Sequence, residues 1–158
     1  MHVAIDNLTD GAVVQLMRDH LEDMFATSPP ESVHALKVED LKAPDITFWS
    51  ARDGETTLGC IALRALGDHA GEIKSMRTVA AARGRGIGGA LLTELMHEAA
   101  RRGYTMLYLE TGSQDFFDPA RRLYARFGFE VCGPFAGYVL DPNSVFMCRA
   151  VAARPAPA

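Results

Sequence analysis

Apolar residues recur along this chain at two periods, and the changes of period mark its elements. Over 11–25, Val13, Val14, Leu16, Met17, Leu21, Met24 and Phe25 fall on one side of a helix, with Thr9 or Asp10 placed to cap it. Ser28-Pro29-Pro30 breaks that pattern. A second short helix is expected over 33–41, anchored by Val33, Leu36 and Leu41 and ended by Ala43-Pro44. Strand-like runs cover 2–7, 46–52, 58–66 and 71–79, with Asp53-Gly54 and Gly67-Asp68-His69 as turns. The helical period returns over 87–102, where Ile87, Leu91, Leu92, Leu95, Met96 and Ala99 share a side and Gly103 stops the helix. A short strand over 104–111 follows. The next helix spans 115–127 and starts at Asp115 or, with Pro119 in its first turn, at Asp118. The segments 129–134 and 145–151 are the last strands, separated by a long loop over 135–144. An antiparallel meander followed by strand, helix and strand predicts an α/β chain. Its sheet is mixed, with helices on both faces.

One stretch departs from both periods: Arg83-Gly84-Arg85-Gly86-Ile87-Gly88-Gly89, between a strand and a helix. The first N–H groups of a helix have no intrahelical partner, and the helix dipole is positive there. With glycines baring that backbone and two arginines beside it, the stretch reads as a phosphate cradle. Two ligands compete for it. Gly84-Arg-Gly86-Ile-Gly-Gly89 matches the dinucleotide fingerprint, and Glu110 lies about twenty residues on, where a ribose-binding acid belongs. Against that reading, Ala80 to Arg83 separate the turn from its strand. Too little chain follows Glu110 for the further βαβ units such a fold needs.

Composition narrows the class. The chain has 158 residues, 48% hydrophobic and 23% charged, which suits one globular domain with a single core. That domain is expected over 1–151, with a low-complexity tail over 152–158. A net charge of −4 disfavours a nucleic-acid partner. No apolar run is long enough to span a bilayer and the N-terminus lacks a signal-peptide pattern, so a cytoplasmic protein with no membrane partner is expected. Cys60, Cys132 and Cys148 fall in apolar, strand-like segments without metal-ligand spacing. They are read as buried free thiols in a reducing compartment, and no metal is expected.

Two segments carry a family resemblance. Arg83-x-x-Gly86-x-Gly88 resembles the acetyl-coenzyme A loop, Q/R-x-x-G-x-G/A, of the GNAT family of N-acetyltransferases. Ala120-Arg-Arg-Leu-Tyr124-Ala-Arg-Phe-Gly128-Phe129 resembles the family's A-x-x-L-Y-x-x-x-G-F segment. The likeness extends from Ile46 to Val151. It implies the GNAT acyl-CoA N-acyltransferase fold, with a mixed, mostly antiparallel central sheet flanked by helices on both faces. It also implies transfer of the acetyl group of acetyl-CoA to a primary amine of a small molecule, by direct attack in a ternary complex. Residue by residue, the backbone of Met76, Arg77, Thr78 and Val79 is implied to hold the pantetheine arm and acetyl carbonyl. Arg83, Gly84, Arg85, Gly86, Ile87, Gly88 and Gly89 are implied to hold the pyrophosphate, with Gly86 and Gly88 permitting close approach. Tyr124 matches the tyrosine that faces the coenzyme sulfur, and a phenol with an ordinary pKa near 10 can donate to a thiolate. Glu72 stands where histone-type members keep a catalytic glutamate and is the candidate base; the alternatives are a strand-edge carboxylate in solvent, a carboxylate paired with Lys74, and a water chain in place of any single base.

The acceptor is less defined. Phe117 and Tyr138, with Phe116 and Phe135, are candidates for an aromatic acceptor pocket or for core packing. Arg77 offers a carboxylate clamp for an amino-acid-like acceptor if it faces the cleft. Where many family members carry an asparagine contacting the coenzyme, this chain reads Thr111-Gly-Ser113-Gln114. The segments Glu110–Ser113, Cys132–Phe135 and Asp141–Met147 resemble a bacterial acetyltransferase group, some members of which carry an indole-acetate label. Two readings from other classes stay open: a non-catalytic acyl-CoA-binding module, and acetylation of a protein or peptide amine. A homodimer also stays open.

Overall fold

The computed structural model describes residues 1–151; the tail expected over 152–158 lies outside the described residues. Seven strands form one sheet: β1 (His2–Ile5), β2 (Ile46–Asp53), β3 (Thr56–Gly67), β4 (Ala70–Thr78), β5 (Met106–Gly112), β6 (Glu130–Cys132) and β7 (Ser144–Ala150). Their order across the sheet is β1-β2-β3-β4-β5-β7-β6. Each neighbouring pair is antiparallel except β4 and β5, which run parallel. The helices are α1 (Gly11–Thr27), α2 (Val38–Leu41), α3 (Ile87–Arg101) and α4 (Asp118–Arg126). None of them is long and apolar enough to cross a membrane.

Each face of the sheet has its own core. On one, α3 buries Ile87, Leu91, Leu92, Leu95 and Ala99 with Ile61, Leu63, Ile73, Leu107 and Leu109 from the strands. Removing each leucine side chain from water contributes roughly 2 kcal/mol. On the other face, Val13, Leu16 and Met17 of α1 and Leu41 of α2 pack with Phe48, Cys60 and Ala62. Strand alternation explains the division: Ile61 and Leu63 point one way, Cys60 and Ala62 the other. Asp10 caps α1, its carboxylate accepting the Ala12 N–H at 2.7 Å.

The structure differs from the pattern in three places. The second helix is reduced to a 3₁₀ turn over Pro30–Ser32 and the short α2, with 33–37 irregular between them. Ser32 donates its hydroxyl to the Asp141 carboxylate, so this segment is set by a distant contact. A helix so short gains little from local propensity. Second, Asp115–Phe117 forms a separate 3₁₀ turn, and of the two starts open to α4 the structure takes Asp118, with Pro119 in its first turn. Proline there loses no ladder bond. Third, only Cys60 is buried, while Cys132 and Cys148 are half-buried. They sit on the edge strand β6 and its neighbour β7. Burial, with the Cys148 thiol beside it, pushes the Cys132 thiol up to about 11.

Two irregularities in β4 prepare the site. Its pairing with β5 runs from Ala70↔Met106 to Ile73↔Leu109 and stops. Beyond that point Lys74–Thr78 and Glu110–Gly112 share no ladder, and the sheet is open between them. On the other edge of β4, Cys60 pairs with Arg77 but Ala62 with Lys74, so Ser75 and Met76 share the place opposite Ile61. This is a β-bulge. Ser75 takes a left-handed φ of 54°, which costs about 1–2 kcal/mol for a residue with a β-carbon. The Cys60 thiol donates to its carbonyl at 3.3 Å. The extra residue resets the alternation, so Lys74 and Arg77 face the same side of the sheet, towards α1 and α2.

Candidate active site

A cavity of about 570 Å³ occupies the opening between β4 and β5. Its walls come from Ile73–Thr78 of β4, Glu110–Gly112 of β5, the turn before α3, and Leu123 and Tyr124 of α4. At the α3 end, the first intrahelical bond runs from Ala90 N–H to Gly86 O at 3.1 Å. The N–H groups of Ile87, Gly88 and Gly89 precede that ladder, and all three residues line the cavity with Arg83, Gly84 and Gly86. The two motif glycines work differently. Gly86 caps α3 at φ 79°, a conformation that favours glycine. Gly88 makes room for α4, because a β-carbon there would lie 2.9 Å from Leu123 Cδ2.

Tyr124 is 6% exposed and meets Phe129 edge-on, ring centroids 5.9 Å apart. Burial, then the charge of Glu110, raises its pKa above that of an ordinary phenol. The hydroxyl therefore stays protonated at neutral pH. Glu110 lines the same cavity, and burial raises its pKa as well. Ser144 and Lys74 lower it, while Glu72 and Asp141 add to the rise. Burial thus shifts the phenol and the carboxylate of this site in the same direction, both upward.

Glu72 has different surroundings. It is 1% exposed and lies outside the cavity lining. Lys74 Nζ donates to Glu72 Oε2 at 3.1 Å and to Tyr138 Oη at 2.9 Å; Tyr138 donates to the same Glu72 oxygen at 2.6 Å. The result is a closed ring of three side chains. Tyr138 is fixed further by His34, edge-on at 4.9 Å, and by Phe135 and Phe146 at 5.0 and 5.7 Å. Phe135 stacks on Tyr108 at 4.9 Å. The loop after β6 is in this way pinned over the side of the sheet that carries α1 and α2.

Of the residues expected in the site, Met76, Arg77, Thr78, Arg83, Gly84, Gly86, Ile87, Gly88, Gly89, Phe117 and Tyr124 line one cavity. Val79, Arg85, Glu72 and Tyr138 do not. The Val79 N–H is already taken, donating to Leu58 O at 2.9 Å. Arg77 faces the cavity but is held by Asp23 of α1, Nη2 to Oδ2 at 2.7 Å. Beside it, burial and the Arg77 charge push His20 down to about 4, so its imidazole is neutral. His34 is lowered as well, by burial and then by Lys74. Sequence reasoning noticed Glu110 only as a ribose acid and passed over Lys74, His20 and His34 as cavity residues. The available signal was an acid at the end of the strand before the tyrosine helix.

Known proteins share this fold and much of this sequence. An aminoglycoside 6′-N-acetyltransferase complexed with coenzyme A superposes with a TM-score of 0.72 at 18% identity, over 99% of this chain and 100% of that one. That likeness concerns the fold. In sequence, the chain is 52% identical to the uncharacterized N-acetyltransferase YsnE of Bacillus subtilis, over 94% of this chain and 99% of that protein. It is 39% identical to the IAA acetyltransferase of Azospirillum brasilense, over 92% and 94% respectively. The family model described as the acetyltransferase (GNAT) family matches residues 13–129. The fold is that of an acyl-CoA-dependent N-acetyltransferase. The chain belongs to the GNAT family, whose members move an acetyl group onto an amine.

Proposed function

We propose that this protein acetylates the primary amine of a small molecule from acetyl-CoA, with both substrates bound at once. The observation that carries the reading is that Glu110 and Tyr124 line one cavity, at the place where β4 and β5 part. Bound acetyl-CoA supplies the thioester. The N–H groups of Ile87, Gly88 and Gly89, with Arg83, hold its diphosphate as helix N-termini hold anions. The free edge of β4 over Met76–Thr78 offers backbone groups to the pantetheine arm and to the carbonyl oxygen as it gains charge. Glu110 takes a proton from the acceptor amine, and its raised pKa makes it a stronger base than an exposed carboxylate. Tyr124 gives its proton to the departing sulfur.

The base role foreseen for Glu72 passes to Glu110 in this reading. Glu72 has its charge engaged by Lys74 and Tyr138 and has no opening to the cavity. It is a positioning residue that holds the other two. Release of free thiol from acetyl-CoA, measured over a panel of small amines, tests the function. Tyr124→Phe should lower kcat by about 100-fold, in the range general acids contribute, with coenzyme affinity within about two-fold of wild type. Unchanged turnover would remove Tyr124 from the acid role. Coenzyme binding without thiol release for any amine or peptide would make the protein a binding module.

A further inference from the structure

The charges on the cavity wall are lopsided. Lys74, Arg77, Arg83 and Arg126 line it, and among the described residues Glu110 is the one carboxylate that does. Arg83 belongs to the phosphate-holding turn. Arg126 follows Leu123, the residue against Gly88, on the same helix. Those two arginines serve the coenzyme end. Lys74 and Arg77 lie on the opposite face of the sheet, the face they share with Glu110 according to the strand pairings.

Lys74 is 8% exposed, which is uncommon for an ammonium. Two of its three N–H donors go to Glu72 and Tyr138. The third has no partner among the described residues, and Lys74 lines the cavity. Arg77 is anchored by Asp23 through Nη2 at 2.7 Å and lines the same cavity. Two cations held rigid by their own counter-ions on one wall suit recognition of an anion.

We propose that the acceptor is a small amine that also carries a carboxylate, an α-amino acid in the simplest case. The carboxylate lies against Lys74 and Arg77, and the amine against Glu110. This deepens the acetyltransferase reading and rests on it. A polycationic acceptor is served less well, because Glu110 is the one carboxylate among the described residues that lines the cavity, Glu72 and Asp23 being engaged with Lys74 and Arg77.

The test reads binding rather than turnover. Twenty N-acetyl-amino acids, and the matched N-acetyl-amino acid methylamides, are titrated calorimetrically into the protein saturated with coenzyme A. At least one free acid should bind ten-fold or more tightly than its methylamide. Lys74→Met should bring that ratio below about two-fold, and Lys74→Arg should restore part of it, with coenzyme affinity unchanged in both; two-fold and ten-fold correspond to about 0.4 and 1.4 kcal/mol. Equal binding of acid and methylamide across the panel overturns the proposal, and so does the failure of every free acid to bind. Should Lys74→Met not fold, the comparison on the wild-type chain still decides. A chain that discriminates acid from amide yet releases no thiol with any amine would lose the acetyltransferase reading while keeping the carboxylate site, so the two failures are distinguishable.

Discussion

Glu110 and Glu72 are carboxylates on one face of the sheet, and their neighbours give them separate chemistry. Glu72 receives hydrogen bonds from Lys74 at 3.1 Å and Tyr138 at 2.6 Å, deep in the protein. Removing one partner of such a buried pair leaves the other charge uncompensated, at a cost on the order of 3–5 kcal/mol. Glu110 opens on the cavity. Burial raises its pKa, and Ser144 and Lys74 only partly offset this. A carboxylate shifted upward is a better base towards an ammonium at neutral pH, and the acidic limb of the pH–rate profile should report it. Glu110→Gln should lower kcat by about 100-fold, abolish that limb and leave coenzyme affinity unchanged. Persistence of the limb in the variant would assign it to another group.

Between elements, the decisive contacts are those where α3 meets the turn before it and α4 beside it. Gly86 and Gly88 look equivalent in the motif but answer to different constraints. A β-carbon on Gly86 meets nothing within 4 Å, yet φ is 79°, so alanine there costs about 1–2 kcal/mol of backbone strain. A β-carbon on Gly88 meets only the far end of the flexible Leu123 side chain. Gly86→Ala should therefore weaken coenzyme A binding by about ten-fold, measured by calorimetry, because relief of the strain moves the N–H groups that follow. Gly88→Ala should leave that affinity within about three-fold and lower the melting temperature as α3 and α4 adjust. The opposite ranking would assign Gly88 to the ligand. This local chemistry explains what could be read in advance. The helices α1 and α3 and the turn Arg83–Gly89 were legible because periodicity and the bared helix mouth are properties of neighbouring residues. Glu110 and Lys74 were not, since their meaning depends on where the parallel β4–β5 pairing stops. The helix expected over 33–41 failed because Ser32 answers to Asp141, 109 residues away.

For the whole molecule, a net charge of −4 coexists with a cavity wall rich in cations. The acids that pair with two of those cations, Glu72 on Lys74 and Asp23 on Arg77, do not themselves line the cavity, and other acids pair with cations elsewhere, as Asp6 and Asp10 do with Arg52. A cationic interior suits the coenzyme and an anionic acceptor, and it also depresses the histidines that share it. His20 titrates near 4 when folded, against an ordinary 6.5, because it is buried beside Arg77. Between those values the unfolded chain binds the proton and the folded chain does not. Stability from this group is complete above pH 6.5 and is lost as pH falls towards 4, by up to about 3 kcal/mol at 1.4 kcal/mol per unit. His34, also lowered, acts in the same sense. Glu110, raised, acts in the opposite sense, since its folded form holds a proton that the unfolded form releases. Asp6 and Glu98, lowered by their arginines against the effect of burial, lose their contributions only at more acidic pH. Urea unfolding at pH 7 and pH 5 should show wild type losing about 2 kcal/mol over that interval, and His20→Gln losing less than half as much. An equal loss in the variant would mean that the proton taken up on unfolding belongs to a different residue.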